Sequence, residues 1–214
     1  MKIRPAEYTD IPEMLQVKRK LILSEGEEVS TRGGFLLGSD EAGYRLRIAQ
    51  QHTWVIDDNG VKGFSIILPD QALRSSDLWL RRNEVQWSID SQPIENSRLG
   101  YFDQLAVLPG PWRSVAPVLA IVTLMNFMRD RPDYILSSTV IKPVMNMAAV
   151  PYLKFLGGKQ VGVLDEVDPV IGQLVSDIWL SPRLDIEAFL NTPPSTAIAS
   201  YVQAAKAILE IHKP

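Results

Sequence analysis

Leu105-Ala106-Val107-Leu108-Pro109-Gly110-Pro111-Trp112-Arg113-Ser114-Val115-Ala116-Pro117-Val118 is the stretch on which the fold turns. Residues 99–108 read as a strand, Pro109-Gly110-Pro111 breaks it, and a strongly apolar helix follows over 114–129. A helix that starts just off a strand end exposes unpaired backbone N–H groups and the positive end of its dipole. That is the ordinary way to hold a phosphate or pyrophosphate. Arg113 is placed to neutralise such a group and Ser114 to donate to it.

Upstream, residues 2–6 read as a short strand. Asp10 and Glu13 form a capping-box-like pair with Pro12 in the first turn of a helix. That helix carries Ile11, Met14, Leu15, Leu21 and Ile22 on one stripe. Its basic run, Lys18-Arg19-Lys20, reads as a solvated face. Residues 24–38 contain Gly26, Gly33, Gly34 and Gly38 with little periodicity, and read as a mobile loop. Ser39 or Asp40 caps a second helix ending near Gln51. A hairpin follows, with strands over 52–56 and 61–68 around Asn59-Gly60, the strongest short-range hairpin signal.

The segment 69–98 resists assignment. It holds Trp79 and Trp87 among Arg74, Arg81 and Arg82, which either floor a substrate pocket or lie half-buried on a sheet. Downstream the pattern gives a strand over 134–141, a helix over 146–156 closed by Gly157-Gly158, and strands over 161–166 and 173–180. A short helix over 185–190 and an amphipathic helix over 195–211 end the chain. The latter's stripe of Ile198, Val202, Ala205 and Leu209 must be buried on this domain or on a partner subunit. The order is mixed α/β, neither a strict βαβ repeat nor a sandwich.

Composition narrows the function. The 214 residues hold 22 basic and 25 acidic side chains, so 22 − 25 = −3, which argues against a phosphate-tracking nucleic-acid binder. There is no cysteine, which removes thiolate metal sites, disulfides and cysteine nucleophiles. The two histidines, His52 and His212, sit in no metal or triad motif, so no metal is expected. The polar start lacks the apolar core of a signal peptide, and the apolar run 115–128 is too short to span a bilayer. A cytoplasmic protein is the expectation.

Together these elements resemble the GNAT superfamily of acyl-CoA N-acyltransferases. Ile3-Arg4-Pro5-Ala6-Glu7-Tyr8-Thr9-Asp10-Ile11-Pro12 is similar to that family's opening strand and helix, and Leu105-Ala106-Val107-Leu108-Pro109 to its fourth-strand ending. Asn146, Ala149, Tyr152, Leu156 and Gly157 match its most specific pattern. The resemblance covers roughly 2–180. It implies a domain over 1–182 with a mostly antiparallel mixed sheet flanked by helices on both faces, and a helical extension over 183–214.

The resemblance further implies that acetyl-CoA is the co-substrate and lies in a V between the strands ending near Val107 and Val140. Its pyrophosphate would meet Arg113, Ser114, Val115, Ala116 and Val118. Its pantetheine arm would pair with the backbone of Leu105 and Val107, with Asn146 also on the binding side. The family loop has small residues where this chain has Ala116 and Val118, and Pro117 removes a donor. Leu153 stands where the family places its acid tyrosine, with Tyr152 one position earlier. A one-residue shift on a helix turns a side chain by about 100°.

For the base, period-two alternation puts Tyr101, Asp103 and Leu105 on one strand face, which makes Asp103 the first candidate and Glu84 the second; the other reading of Asp103 is pairing with an arginine or capping a neighbouring element. Tyr152 is the candidate acid, with core packing as the other reading of that position. The expected activity is N-acetylation of a small-molecule primary amine, since no acidic track for a basic peptide is evident. No nucleic acid or membrane partner is expected, and the C-terminal helix offers a homodimer contact. The alternative is a degenerate member that binds a ligand or scaffolds an assembly without turnover.

Overall fold

The computed structural model describes residues 1–23, 28–36 and 40–212. Its centre is an eight-stranded sheet in the order β1-β3-β4-β6-β7-β10-β9-β5. The strands are β1 (Lys2–Pro5), β3 (Thr53–Asp57), β4 (Val61–Pro69), β5 (Gln86–Trp87), β6 (Leu99–Val107), β7 (Tyr134–Lys142), β9 (Lys159–Asp168) and β10 (Gly172–Pro182). All neighbours run antiparallel except β6 and β7, which are parallel. Two-residue strands β2 (Val29–Ser30) and β8 (Met145–Asn146) pair in parallel away from this sheet.

Helices α1 (Ile11–Lys20) and α2 (Glu41–Ala49) cover one face of the N-terminal half. Ile11, Met14, Val17, Tyr44 and Ile48 pack there against Val55, Phe64, Ile66 and Ala106. The opposite face is covered by α6 (Ala116–Met128), which is buried over most of its length. That explains its apolar composition: α6 lies between the sheet and α9 (Thr196–Ile211), whose Val202, Ala205 and Leu209 complete the same core. The stripe of the C-terminal helix is therefore covered by its own chain. Helix α8 (Arg183–Asn191) adds Ile186, Phe189 and Leu190 to this core.

Residues 70–98 fold as α3 (Asp70–Arg74), α4 (Asp77–Leu80), a 3-10 turn, β5 and α5 (Gln92–Glu95). They cover the C-terminal half of the sheet, with Leu73, Trp79 and Ile94 on Leu99, Tyr101, Leu136 and Ile178. Helix α7 is Val150–Phe155, shorter than the pattern over 146–156, because Met145 and Asn146 are drawn into β8.

Other differences have local causes. Asp10 does not cap α1. Its carboxylate accepts from the Glu7 N–H at 2.8 Å and from Arg4 at 2.7 and 2.8 Å, while Glu13 accepts from the Val61 N–H. Burial pushes the Asp10 carboxyl upward, but the Arg4 guanidinium overrides this and holds it below its usual range. Asp40 caps α2, accepting from Gly43 N–H at 2.7 Å; Ser39 lies outside the described residues. The described part of the expected mobile loop is tied down by the β2–β8 pair and by Phe35, which exchanges backbone hydrogen bonds with Leu21 and Leu23. Gly26 and Gly38 lie outside the described residues.

Candidate active site

Strands β6 and β7 stay paired only over 99–102 against 134–137. Beyond that, β6 remains with β4 and β7 with β10, so the two diverge and the sheet splits. A bulge bends β6 at this point: Ile67 opposes Phe102 and Ile66 opposes Gln104, leaving Asp103 as the extra residue. The bulge inverts the alternation expected from the sequence. Asp103 joins Gln104 on the α1–α2 side, where Gln104 accepts from the Tyr44 hydroxyl at 3.1 Å, and Leu105 returns to the other face. Asp103 and Leu105 therefore do not share a face.

The split opens a cleft of about 310 Å³. Its walls come from four places. Residues 31–35 form the first, and the β6 residues Phe102, Asp103, Gln104, Leu105 and Val107 the second. Arg113, Ala116, Ser137 and Ser138 form the third, and Asn146, Ala148, Ala149, Tyr152 and Leu153 the fourth.

Seven of the residues singled out from sequence thus meet around one space: Asp103, Leu105, Val107, Arg113, Ala116, Asn146 and Tyr152. Three do not line it. The Ser114 hydroxyl donates to the Pro111 carbonyl at 2.7 Å, Val115 packs on the core, and Val118 is buried within it. Val118 is turned inward, so of the two enlarged loop positions only Ala116 faces the cleft. Glu84 also lies elsewhere, bound to Arg81 at 2.9 Å on the exposed side of residues 70–98.

The cleft edge of β6 has a defined polarity. Leu108 N–H donates to Lys62 O at 2.9 Å across the β4 ladder. Because antiparallel hydrogen bonds alternate, the N–H of Val107, and of Leu105 two residues before it, turns to the opposite edge, toward the split. Strand β7 has already diverged there, so these donors face the cleft.

Asp103 is held by Arg47, whose Nε donates to Oδ2 at 2.7 Å. Burial pulls the Arg47 guanidinium down, and Asp103 more than restores it, leaving it above its usual value. Lys18 lies beside them and is only 7% exposed, so the basic run at the end of α1 is not wholly a solvated face. Burial lowers its ammonium to about 8, opposed by Asp103, and its Nζ sits 4.6 Å from the centre of the Phe35 ring at the cleft wall.

Tyr152 sits on the opposite wall. Its ring meets Phe102 edge-on at a centroid distance of 5.5 Å. Its hydroxyl is shielded from solvent and has no hydrogen-bond partner among the described residues. Burial raises its pKa well above the ordinary phenol value, so it stays protonated. An unpaired buried hydroxyl costs roughly 1–3 kcal/mol.

His52 takes no part. Its Nε2 lies 3.0 Å from Asp130 and its Nδ1 3.2 Å from Asn126, on the α6 side of the sheet. Among the described residues no cluster of three metal-ligating side chains is found, and no helix is long and apolar enough to cross a membrane.

Two solved structures superpose on this fold over most of their length. The structure of yncA from Salmonella typhimurium with its cofactor acetyl-CoA superposes with a TM-score of 0.53 at 13% identity, covering 86% of this chain and 94% of that one. FeeM, an N-acyl amino acid synthase from uncultured soil microbes, gives 0.51 at 13% identity, covering 89% and 92%.

The fold is that of the GNAT acyltransferases.

No family model matches the sequence, and no curated protein matches it. In this chain residues 70–98 lie between β4 and β6, and α9 packs behind α6. The Lys18–Arg47–Asp103 cluster was missed from sequence because three separate elements assemble it. The one available signal was a lysine at a helix position flanked in phase by Met14 and Leu21.

Proposed function

We propose that this protein transfers an acyl group from an acyl-CoA thioester to a small-molecule primary amine, with acetyl-CoA as the simplest donor. The observation that carries the reading is the split between β6 and β7, with strand-edge N–H groups on one wall and Tyr152 on the other.

The residues suit such a donor. The start of α6, with Arg113 and the cleft-facing Ala116, would hold the pyrophosphate, and Asn146 would close the opposite side. The Leu105 N–H would pair with the pantetheine amide. The Val107 N–H would polarise the thioester carbonyl and hold the developing oxyanion.

An alkylammonium acceptor has a pKa of about 10.4 and must lose a proton before attack. Asp103, fixed on one side by Arg47, takes that proton directly or through a water. The amine nitrogen forms its bond to the carbonyl carbon as the carbon–sulfur bond breaks. Tyr152 donates its proton to the departing thiolate and recovers one from Asp103, through water in the cleft, once the products leave. Asp103→Asn is expected to lower turnover about a hundredfold or more while leaving acyl-CoA affinity within twofold, measured by thiol release and calorimetry. Unchanged turnover would remove Asp103 as the base.

The same reading takes residues 1–182 as the catalytic body and 183–214 as an extension completing its core. It places the protein in the cytoplasm, compatible with a chain free of cysteine, without nucleic acid or membrane partners. A homodimer through α9 would use that helix's outward face, where Ile211 is exposed.

One observation favours a second reading, a ligand-binding protein without turnover: Pro117 supplies no N–H in the first turn of α6, and the Ala116 side chain occupies the approach. Thermal melting separates the two. Acetyl-CoA or CoA at a hundred times its dissociation constant adds about 2.7 kcal/mol, a shift of roughly 5–10 °C for a domain of this size. The transferase reading expects that shift in the unmodified protein. A shift that emerges only in Ala116→Gly would mean the donor site has been given up.

A further inference from the structure

Residues 28–36 bridge the open end of the split. On one side they are held by β8, which follows β7: Met145 N–H donates to Glu28 O and Met147 N–H to Ser30 O, both at 2.9 Å. On the other side they are held by Arg113, which follows β6 and donates from Nη2 to Arg32 O at 3.2 Å. Between these ties the Ser30 hydroxyl donates to Gly33 O at 2.8 Å. Gly33, at φ +71°, turns the chain immediately after Arg32. Arg32 is therefore rooted at the open end, one hydrogen bond from the Arg113 guanidinium.

The charges at this end are lopsided. The charged residues bordering the cleft are Arg32, Arg113 and Asp103, and Asp103 is already held by Arg47. Arg32 is exposed, and neither it nor Arg113 has a carboxylate partner among the described residues. Two cationic residues thus share the entrance, which suits an anion carrying more than one charge.

The start of α6 is meanwhile short of neutral donors. The Ala116 N–H is committed to Arg113 O, Pro117 has none, and the Ser114 hydroxyl is committed to Pro111 O. A phosphate arriving there meets side-chain charge in place of the row of backbone N–H groups that a helix start ordinarily offers.

We propose that Arg32 is a second donor-binding residue. With Arg113 it clamps the pyrophosphate of the acyl-CoA and supplies the charge-assisted hydrogen bonds that α6 lacks in backbone donors. This rests on the acyl-transfer reading above and adds a residue to its donor site. Residues 28–36 become part of that site as well, since Arg113 has N–H groups to spare beyond the one on Arg32 O.

The test is calorimetry with CoA, dephospho-CoA and pantetheine on the unmodified protein, on Arg32→Ala and on Arg32→Lys. Arg32→Ala should weaken CoA and dephospho-CoA alike, by about tenfold or more, because both carry the pyrophosphate. Pantetheine, which lacks it, should bind the unmodified protein and Arg32→Ala within about twofold of each other. Arg32→Lys keeps the charge without the planar fork and should fall between them for CoA. Added salt should weaken CoA more in the unmodified protein than in Arg32→Ala. The side chain is exposed, so both ligand-free variants should melt within about 2 °C of the unmodified protein, which shows them folded.

Unchanged CoA affinity in Arg32→Ala would overturn the proposal and leave the acyl-transfer reading standing. A loss for CoA that spares dephospho-CoA would overturn it in favour of the phosphate on the ribose. A loss shared equally by pantetheine would overturn it in favour of a purely structural role for residues 28–36. Failure of the unmodified protein to bind any of the three would defeat the acyl-transfer reading itself, and this inference with it.

Discussion

Tyr152→Phe is expected to make the protein more stable and far less active. The hydroxyl it removes is buried and without a partner among the described residues, so its loss relieves about 1 kcal/mol or more in the ligand-free protein. The ring contact with Phe102 is kept, because phenylalanine preserves the edge-on geometry. If the hydroxyl protonates the departing thiolate, turnover falls by about a hundredfold or more, with acyl-CoA affinity changed much less. A melting temperature raised by a few degrees together with that loss would separate a chemical role from a packing role. A stabilised variant with full activity would make Tyr152 a wall of the cleft and nothing more.

The other large effect concerns the C-terminal helix. Leu209 is 5% exposed and belongs to the core that α9 shares with α6. Leu209→Ala should cost about 3 kcal/mol, or roughly 6–12 °C in melting temperature. Deleting 195–214 uncovers Val202's and Ala205's partners on α6 as well, and should leave a chain that aggregates or fails to fold. Mass measured on the intact protein and on Leu209→Ala addresses self-association separately, since the buried stripe is not the face a partner would touch. An unaltered melting temperature in Leu209→Ala would contradict the packing described for α9.

How much of this was legible in the sequence depended on whether the signal was local. Asn59-Gly60 announced the β3–β4 hairpin, and Pro109-Gly110-Pro111 marked the end of β6, because turn chemistry is written in adjacent residues. The sidedness of Asp103 was not legible: nothing between Phe102 and Gln104 distinguishes a bulge from a regular strand, and one extra residue inverts every later position. Lys18 was misread for a related reason, since its neighbours Asp103 and Arg47 arrive from β6 and α2. Val118 was placed near the pyrophosphate by loop matching, whereas the helical phase set by α6 packing turns it into the core. The segment 70–98 stayed unreadable because its helices are too short for periodicity to show.

The way that segment is attached has an evolutionary reading. The chain leaves the sheet at Pro69 and returns at Gly100, and these two residues face each other across the β4–β6 ladder. Whatever is strung between them begins and ends at the same place, so its length and sequence can change with β4 and β6 still in register, β5 being the one strand of the sheet that the segment itself supplies. Residues 70–98 are in that sense a cassette, clasped where the chain leaves and rejoins the sheet and pinned to β9 by β5 and Arg81. Grafting a different one would replace the apolar cover that Leu73, Trp79 and Ile94 lay over the sheet and leave the packing of α1 and α2 as it was.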